Sequence, residues 1–236
     1  MSIKDDVALV WEQSVDQFSG TFQSFASRVT KSDRTRATIQ NAALEFVWSR
    51  PFREMNVQSL MATTNLSRAS FYQYFDDIHQ LMRGLLDTLE QEIFVSVAPW
   101  IEGVGDPVLL TKEALVGLTR ACYERGPFLQ AISDAARTDG QFERDWSQFL
   151  RAFDDAGFAR VEADQAQGLI AEFDSRHVIA ALNRLNASTL IAEFGKRPRG
   201  NPELVQDALS RVWISTLYGA EWVENGSSSL VRKPVQ

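Results

Sequence analysis

"NLSRASFYQYFDDIHQL", residues 65–81, sets four aromatic side chains into five positions directly after a polar turn. A core helix spaces its aromatics every three or four residues, so this run has to split between two faces. If residues 67–75 are helical, Phe71 and Phe75 lie four apart and share a face with Leu66. That face is expected to pack on Leu60 and Phe46. Arg68, Ser70, Tyr72 and Gln73 then point outward: a guanidinium, a hydroxyl, a phenol and an amide, the groups that bind phosphates and base edges. A short helix after a tight turn is also the element that enters a major groove. Spacing alone fits a surface helix over an aromatic core equally well.

The flanking sequence is helical in period, with no strand alternation bounded by hairpin turns. Upstream, residues 34–49 place Ile39, Ala43 and Phe46 on one stripe, and Pro51 is a stop signal. Asn56 can cap a short helix carrying Leu60 and Met61, which runs out at "TTN". Asn65 suits the left-handed turn position, and Ser67 caps the next helix. Downstream, a long helix is predicted over 78–98, closed by Pro99. Further helices are predicted over 107–124, 128–137, 141–166, 174–194 and 202–222. Gly126-Pro127, Asp139-Gly140, Gly168 and "GKRPRGNP" are their breaks. The sum is an all-α protein of roughly nine or ten helices. In the first thirty residues Trp11, Val15, Phe18, Phe22, Phe25 and Val29 form an aromatic stripe at helical spacing. It suits packing on its own domain or a dimer mate, or docking on another protein; Glu12 and Asp16 argue against a membrane surface.

The 236 residues are 44% hydrophobic, with one cysteine, Cys122, and two histidines, His79 and His177. An internal disulfide is excluded, and no Cys/His metal spacing occurs, so neither metal nor cofactor is expected. "MSIKDDVALVWEQ" has aspartates where a signal peptide needs an apolar run, and no stretch approaches a membrane span. The expectation is a cytoplasmic protein with no membrane partner. Net charge is −7, from 24 basic and 31 acidic residues. Residues 28–83 hold eight Lys or Arg and five Asp or Glu, a balance of +3, leaving 16 basic and 26 acidic residues, or −10, elsewhere. A locally basic face is all that DNA binding needs.

The run "RTRATIQNAALEFVWSRPFREMNVQSLMATTNLSRASFYQYFDDIHQLMRGLLDTL" resembles the DNA-binding domain of the TetR family of bacterial transcriptional regulators. An Ala-Ala-x-x-x-Phe first helix, a polar cap, and "LSRASFYQYF" before a long fourth helix occur in register over about residues 33–90. The resemblance implies an N-terminal three-helix helix-turn-helix domain over 31–77, preceded by an amphipathic extension, 1–30. A larger helical effector-binding and dimerisation domain, 78–223, and a flexible tail, 224–236, would follow. It carries DNA contact onto Arg68, Ala69, Ser70, Tyr72, Gln73 and Tyr74. Tyr72 and Tyr74 would hold phosphates, while Arg68, Ser70 and Gln73 would read bases. Asn56 would offer its backbone N–H to a phosphate, and Arg34 and Arg36 would add phosphate or minor-groove contacts. One position departs: the family's lysine at the start of the fourth helix is Ile78 here, behind Asp76 and Asp77. That predicts weaker, less salt-dependent non-specific binding, which a protonated His79 could partly offset; otherwise His79 reads as a solvated helix residue.

Residues 106–220 resemble, more loosely, one TetR subgroup, that of the mycobacterial ethionamide-resistance repressor. The matching pieces are Leu182-Asn183, Asn186, Thr189-Leu190, Phe194, and "VWISTLYG" with Trp213. That subgroup's pocket is a long apolar channel, and by position its lining falls on Tyr123, Trp146, Leu150, Phe153, Asn183, Asn186 and Trp213. Lys112 replaces one of its aromatics. Read without the family, Asn183 and Asn186 on an apolar helix need hydrogen-bond partners, whether protein, water or ligand. Cys122 reads as a small buried hydrophobe.

These readings converge on a homodimeric, ligand-responsive transcriptional regulator, in effect a repressor. It would read a palindromic double-stranded operator and respond to a small apolar or aromatic effector. The alternative is a protein of the same fold with weakened DNA binding, acting on a protein partner through its N-terminal helix. An enzyme is not expected: there is no metal set, no phosphate loop and no nucleophile beside a base.

Overall fold

The computed structural model describes residues 30–103 and 105–219. Among them there are helices and no strand: α1 (Lys31–Ser49), a 3-10 turn (Phe52–Glu54), α2 (Val57–Met61), α3 (Arg68–Tyr72) and α4 (Ile78–Glu102). The series continues with α5 (Pro107–Ala135), α6 (Gly140–Ala166), α7 (Ser175–Phe194) and α8 (Pro202–Leu217). Backbone packing divides the chain after Asn41. Of the first unit, the described part is the N-terminal half of α1, opened by Thr30 and Asp33, which exchange hydrogen bonds. The predicted helix over the first thirty residues and the tail from 224 lie outside the described residues.

Asp or Asn caps nearly every later helix. Asp77 accepts from Gln80 N, Asp106 from Val108 N and Leu109 N, and Asp139 from Gln141 N and Phe142 N. Asp174 accepts from His177 N, and Asn201 from Glu203 N and Leu204 N. Each carboxylate or amide satisfies donors that a first helical turn leaves orphaned. α5 is the central helix of the larger unit: it packs against α4, α6, α7 and α8, while α6 also packs on α4 and α7. Phe128, Ile132, Ile179, Leu190 and Phe194 are fully enclosed there.

Several boundaries differ from the sequence prediction: α1 begins at Lys31 rather than 34, and α3 ends at Tyr72 rather than 75. α4 runs through Pro99 to Glu102, the proline costing only the one bond to the Val95 carbonyl near the helix end, and Gly103 ends it. The two helices predicted over 107–124 and 128–137 are one, α5, which runs through Gly126-Pro127. Gly126 is there for packing: a Cβ at that position would overlap the Phe194 carbonyl group on α7. α8 ends at Leu217 rather than 222, with Gly219 at φ 99 beyond its cap, a backbone that glycine adopts without strain.

Candidate nucleic-acid interface and cavity

α2 and α3 are each five residues long, too short to persist alone, and both are held by caps. Asn56 Oδ1 accepts from Ser59 N at 2.9 Å, and Ser59 Oγ accepts from Asn56 N at 3.0 Å. This reciprocal capping box changes the role expected of Asn56, because its amide N–H is already engaged. The orphan first-turn donors of α2 are then those of Val57 and Gln58, which line an open crevice with Tyr72 and Ile78. Between the helices Thr63 and Thr64 turn their hydroxyls back onto the carbonyls of Leu60 and Met61. Ser67 caps α3, accepting from Ser70 N.

The crowded aromatics divide as their spacing predicts. Phe71 and Phe75 are 0% and 2% exposed, whereas Tyr72, edge-on to Phe71, is 59% exposed. Leu60 and Phe46 are also buried. Arg68, Ala69 and Gln73 are exposed beside Tyr72; Ser70 and Tyr74 are half-buried. Ser70 Oγ lies 3.0 Å from Ser67 Oγ, so its hydroxyl is partly committed within the helix. Arg34 and Arg36 are exposed on the first half of α1.

At the start of α4, Asp76 and Asp77 have structural work. Asp77 caps the helix, and Asp76 exchanges hydrogen bonds with the Gln80 side chain. His79 does not stand free as a substitute cation. Its Nε2 lies 2.8 Å from Asp145 Oδ2 on α6, the ring edge-on to Phe142, although it is not aligned for a straight hydrogen bond. Arg83 reaches the other carboxylate oxygen at 3.2 Å. The buried Asp145 thus joins the start of α4 to α6.

A cavity of about 90 Å³ lies inside the larger unit. Of the residues expected there, Trp146, Leu150, Phe153, Asn183, Asn186 and Trp213 line it together. Tyr123 lies outside the wall, its ring edge-on to Phe194 and beneath the Arg199 guanidinium. The asparagines are oppositely spent. Asn183 Nδ2 donates to Asp154 Oδ1 at 3.0 Å, and Asp154 is held bidentately by Arg184. Asn186 Oδ1 accepts from Trp213 Nε1 at 2.9 Å. A carbonyl oxygen at Asn183 and an amide N–H pair at Asn186 remain to meet a ligand. The sequence reading missed Ile93, Val97, Trp100, Thr111 and Leu115, which complete the wall from α4 and α5. Ile93, Val97 and Trp100 follow helical spacing, so a signal existed, but it does not distinguish wall from core. Among the described residues, no carboxylate, Lys or Arg lines the cavity. Its one ionisable side chain, Cys122, is pushed up to about 12 by burial and stays a neutral thiol.

Paired short capped helices, followed by a long helix into a cavity-bearing helical body, make the fold of a TetR-family transcriptional regulator. The solved structure of a TetR-family regulator of Syntrophomonas wolfei superposes with a TM-score of 0.69 at 12% identity, covering 79% of this chain and 96% of that one. Residues 111–219 match the family model for the C-terminal domain of transcriptional regulator EthR. The HTH-type transcriptional regulator EthR of Mycolicibacterium smegmatis is 22% identical over 197 residues, 82% of this chain and 90% of that protein. EthR of Mycobacterium tuberculosis H37Rv is 24% identical over 200 residues, 82% and 91% of the two chains. The C-terminal half of the chain is thus similar in sequence to EthR, and its fold is that of TetR-family structures.

Proposed function

We propose that this protein is a transcriptional regulator that binds palindromic operator DNA as a homodimer through α3, and acts as a repressor governed by a small uncharged apolar or aromatic effector. The observation that carries the reading is the outward face of α3. Arg68, Ala69, Tyr72 and Gln73 are exposed together over buried Phe71 and Phe75. Arg68 and Gln73 suit base edges, and the Tyr72 phenol and the α2 amides suit phosphates. Tyr74, half-buried, is a second phosphate donor, and Arg34 and Arg36 supply further cationic contact.

Dimerisation is supported by exposed apolar and small side chains on the last two helices. Leu185 on α7 lies between exposed Ala181 and Ser188, and Leu204 and Val212 on α8 flank exposed Ala208. Two copies paired there would present two α3 helices to successive major grooves, about 34–36 Å apart or somewhat more. The effector reading rests on the cavity, where Asn183 and Asn186 hold the unspent amide groups among the described residues. An uncharged ligand with hydrogen-bonding atoms suits it, and a free carboxylate would meet no cation. About 90 Å³ is less than a drug-sized ligand needs. Binding one therefore requires the walls to move apart, which gives it different affinities for two states. Acting on DNA places the protein in the cytoplasm.

Mobility shifts on the DNA flanking its own gene, across a salt series, test the proposal. Specific retardation that weakens with salt is expected, with Tyr72→Ala losing about 1.5–3 kcal/mol of binding, the worth of a hydrogen bond to a charged group. Intact specific binding by Tyr72→Ala sinks the phosphate assignment. Ile78 in place of a cation favours the second reading, a protein partner held through residues 1–30. Deleting those residues distinguishes the two: DNA binding survives under either, and a captured protein partner is lost only under the second.

A further inference from the structure

The basic loop between α7 and α8, "GKRPRGN", takes no part in either site, yet two of its arginines are held in place. Arg197 and Arg199 both set their guanidinium carbons over the indole of Trp48, 4.7 and 5.0 Å from the ring centre. Trp48 is the penultimate residue of α1. Arg199 also lies 3.8 Å over the Tyr123 ring of α5 and donates from Nη1 to the Tyr123 carbonyl at 2.7 Å. A flat guanidinium can serve two aromatic faces and a carbonyl at once, which an ammonium cannot.

The same residues adjoin the cavity. Tyr123 follows wall residue Cys122, and Phe194, edge-on to Tyr123 at 5.2 Å, follows wall residues Leu190 and Ile191 by one turn. Gly126 lets the α7 backbone touch α5 at this point, so there is no slack to absorb a shift. We propose that Arg199 is a positioning residue for the DNA-reading domain. From the α7–α8 loop it fastens the C-terminal end of α1 to α5, so that α1 follows the cavity wall. What α1 then does to DNA rests on the function proposed above; the strap itself does not.

Hydrogen exchange on the full chain, without DNA or ligand, tests it. Arg199→Ala should speed exchange of amides 44–49 about tenfold while amides 149–161 on α6 are unchanged. Arg199→Lys should fail to restore the slow rate. Unchanged rates at 44–49, uniform acceleration of every helix, or full rescue by lysine would each overturn the proposal. A second arm places a ring in the cavity by Ala187→Phe, or by Ala156→Phe should the first variant not fold. The filled cavity should alter exchange at 44–49 when Arg199 is present and leave it unaltered with Arg199→Ala. An equal change in both backgrounds, or none in either, rejects transmission through this residue. Because neither arm uses DNA, the strap and the DNA-reading proposal can fail separately.

Discussion

Ile78 opens onto the crevice lined by Val57, Gln58 and Tyr72, where the proposed interface would hold a phosphate. Ile78→Lys should therefore tighten DNA binding and steepen the slope of log affinity against log salt by about 0.9, one more neutralised phosphate. A slope unchanged from the parent protein would show that the crevice does not face DNA. Cys122 gives a second residue-scale test. Its thiol ionises at about 12 in the fold against 9.0 without burial. Below pH 9 both folded and unfolded chains keep the proton and stability is unaffected. Above it the unfolded chain loses the proton first, so stability falls by about 1.4 kcal/mol per pH unit until the folded value is reached. Urea melts of the parent and Cys122→Ala from pH 8 to 11 should diverge only above pH 9, the parent losing more. At this scale the sequence told well which α3 side chains face out, because a period of four between Phe71 and Phe75 leaves no other arrangement. The engagement of the Asn56 N–H and the pairing of His79 were not legible, since they are set by a neighbour's rotamer (Ser59) and by a residue 66 positions on (Asp145).

Among the elements, the caps at Asn56 and Ser67 were plain in the sequence, while the breaks at Pro99 and Gly126-Pro127 misled. Glycine and proline disfavour helix interiors by local propensity, but the packing of α5 against four helices overrides that preference. Gly126 is required by α7, a constraint 68 residues away in sequence that no local pattern carries. Gly126→Ala would raise helix propensity and still destabilise, because its Cβ would meet backbone atoms of Phe194 that cannot rotate aside. A loss of at least about 1–3 kcal/mol is expected from overpacking. For a chain of this size that lowers the melting temperature by at least about 2–4 °C per kcal/mol. A melting temperature equal to or above the parent's would mean that α5 and α7 are not in backbone contact there.

For the whole molecule, the question is what covers the outward faces of α7 and α8. Leu204 is 68% exposed, and Leu185 and Val212 are 38% and 36% exposed, on helices whose other faces are well buried. In the proposed dimer these faces would pair across a two-fold axis into a four-helix interface of the usual bundle kind. The double substitution Leu185→Glu with Leu204→Glu places like charges at its centre while touching neither the cavity nor α3. Light scattering at micromolar concentration should then give the mass of one chain, where the parent gives two. DNA binding should weaken sharply on a full palindrome, because the second half-site is no longer bound at the effective concentration that linkage provides. On a single half-site parent and variant should bind alike. A variant that remains dimeric, or a monomer that still grips the palindrome as tightly as the parent, would move the dimer to another surface.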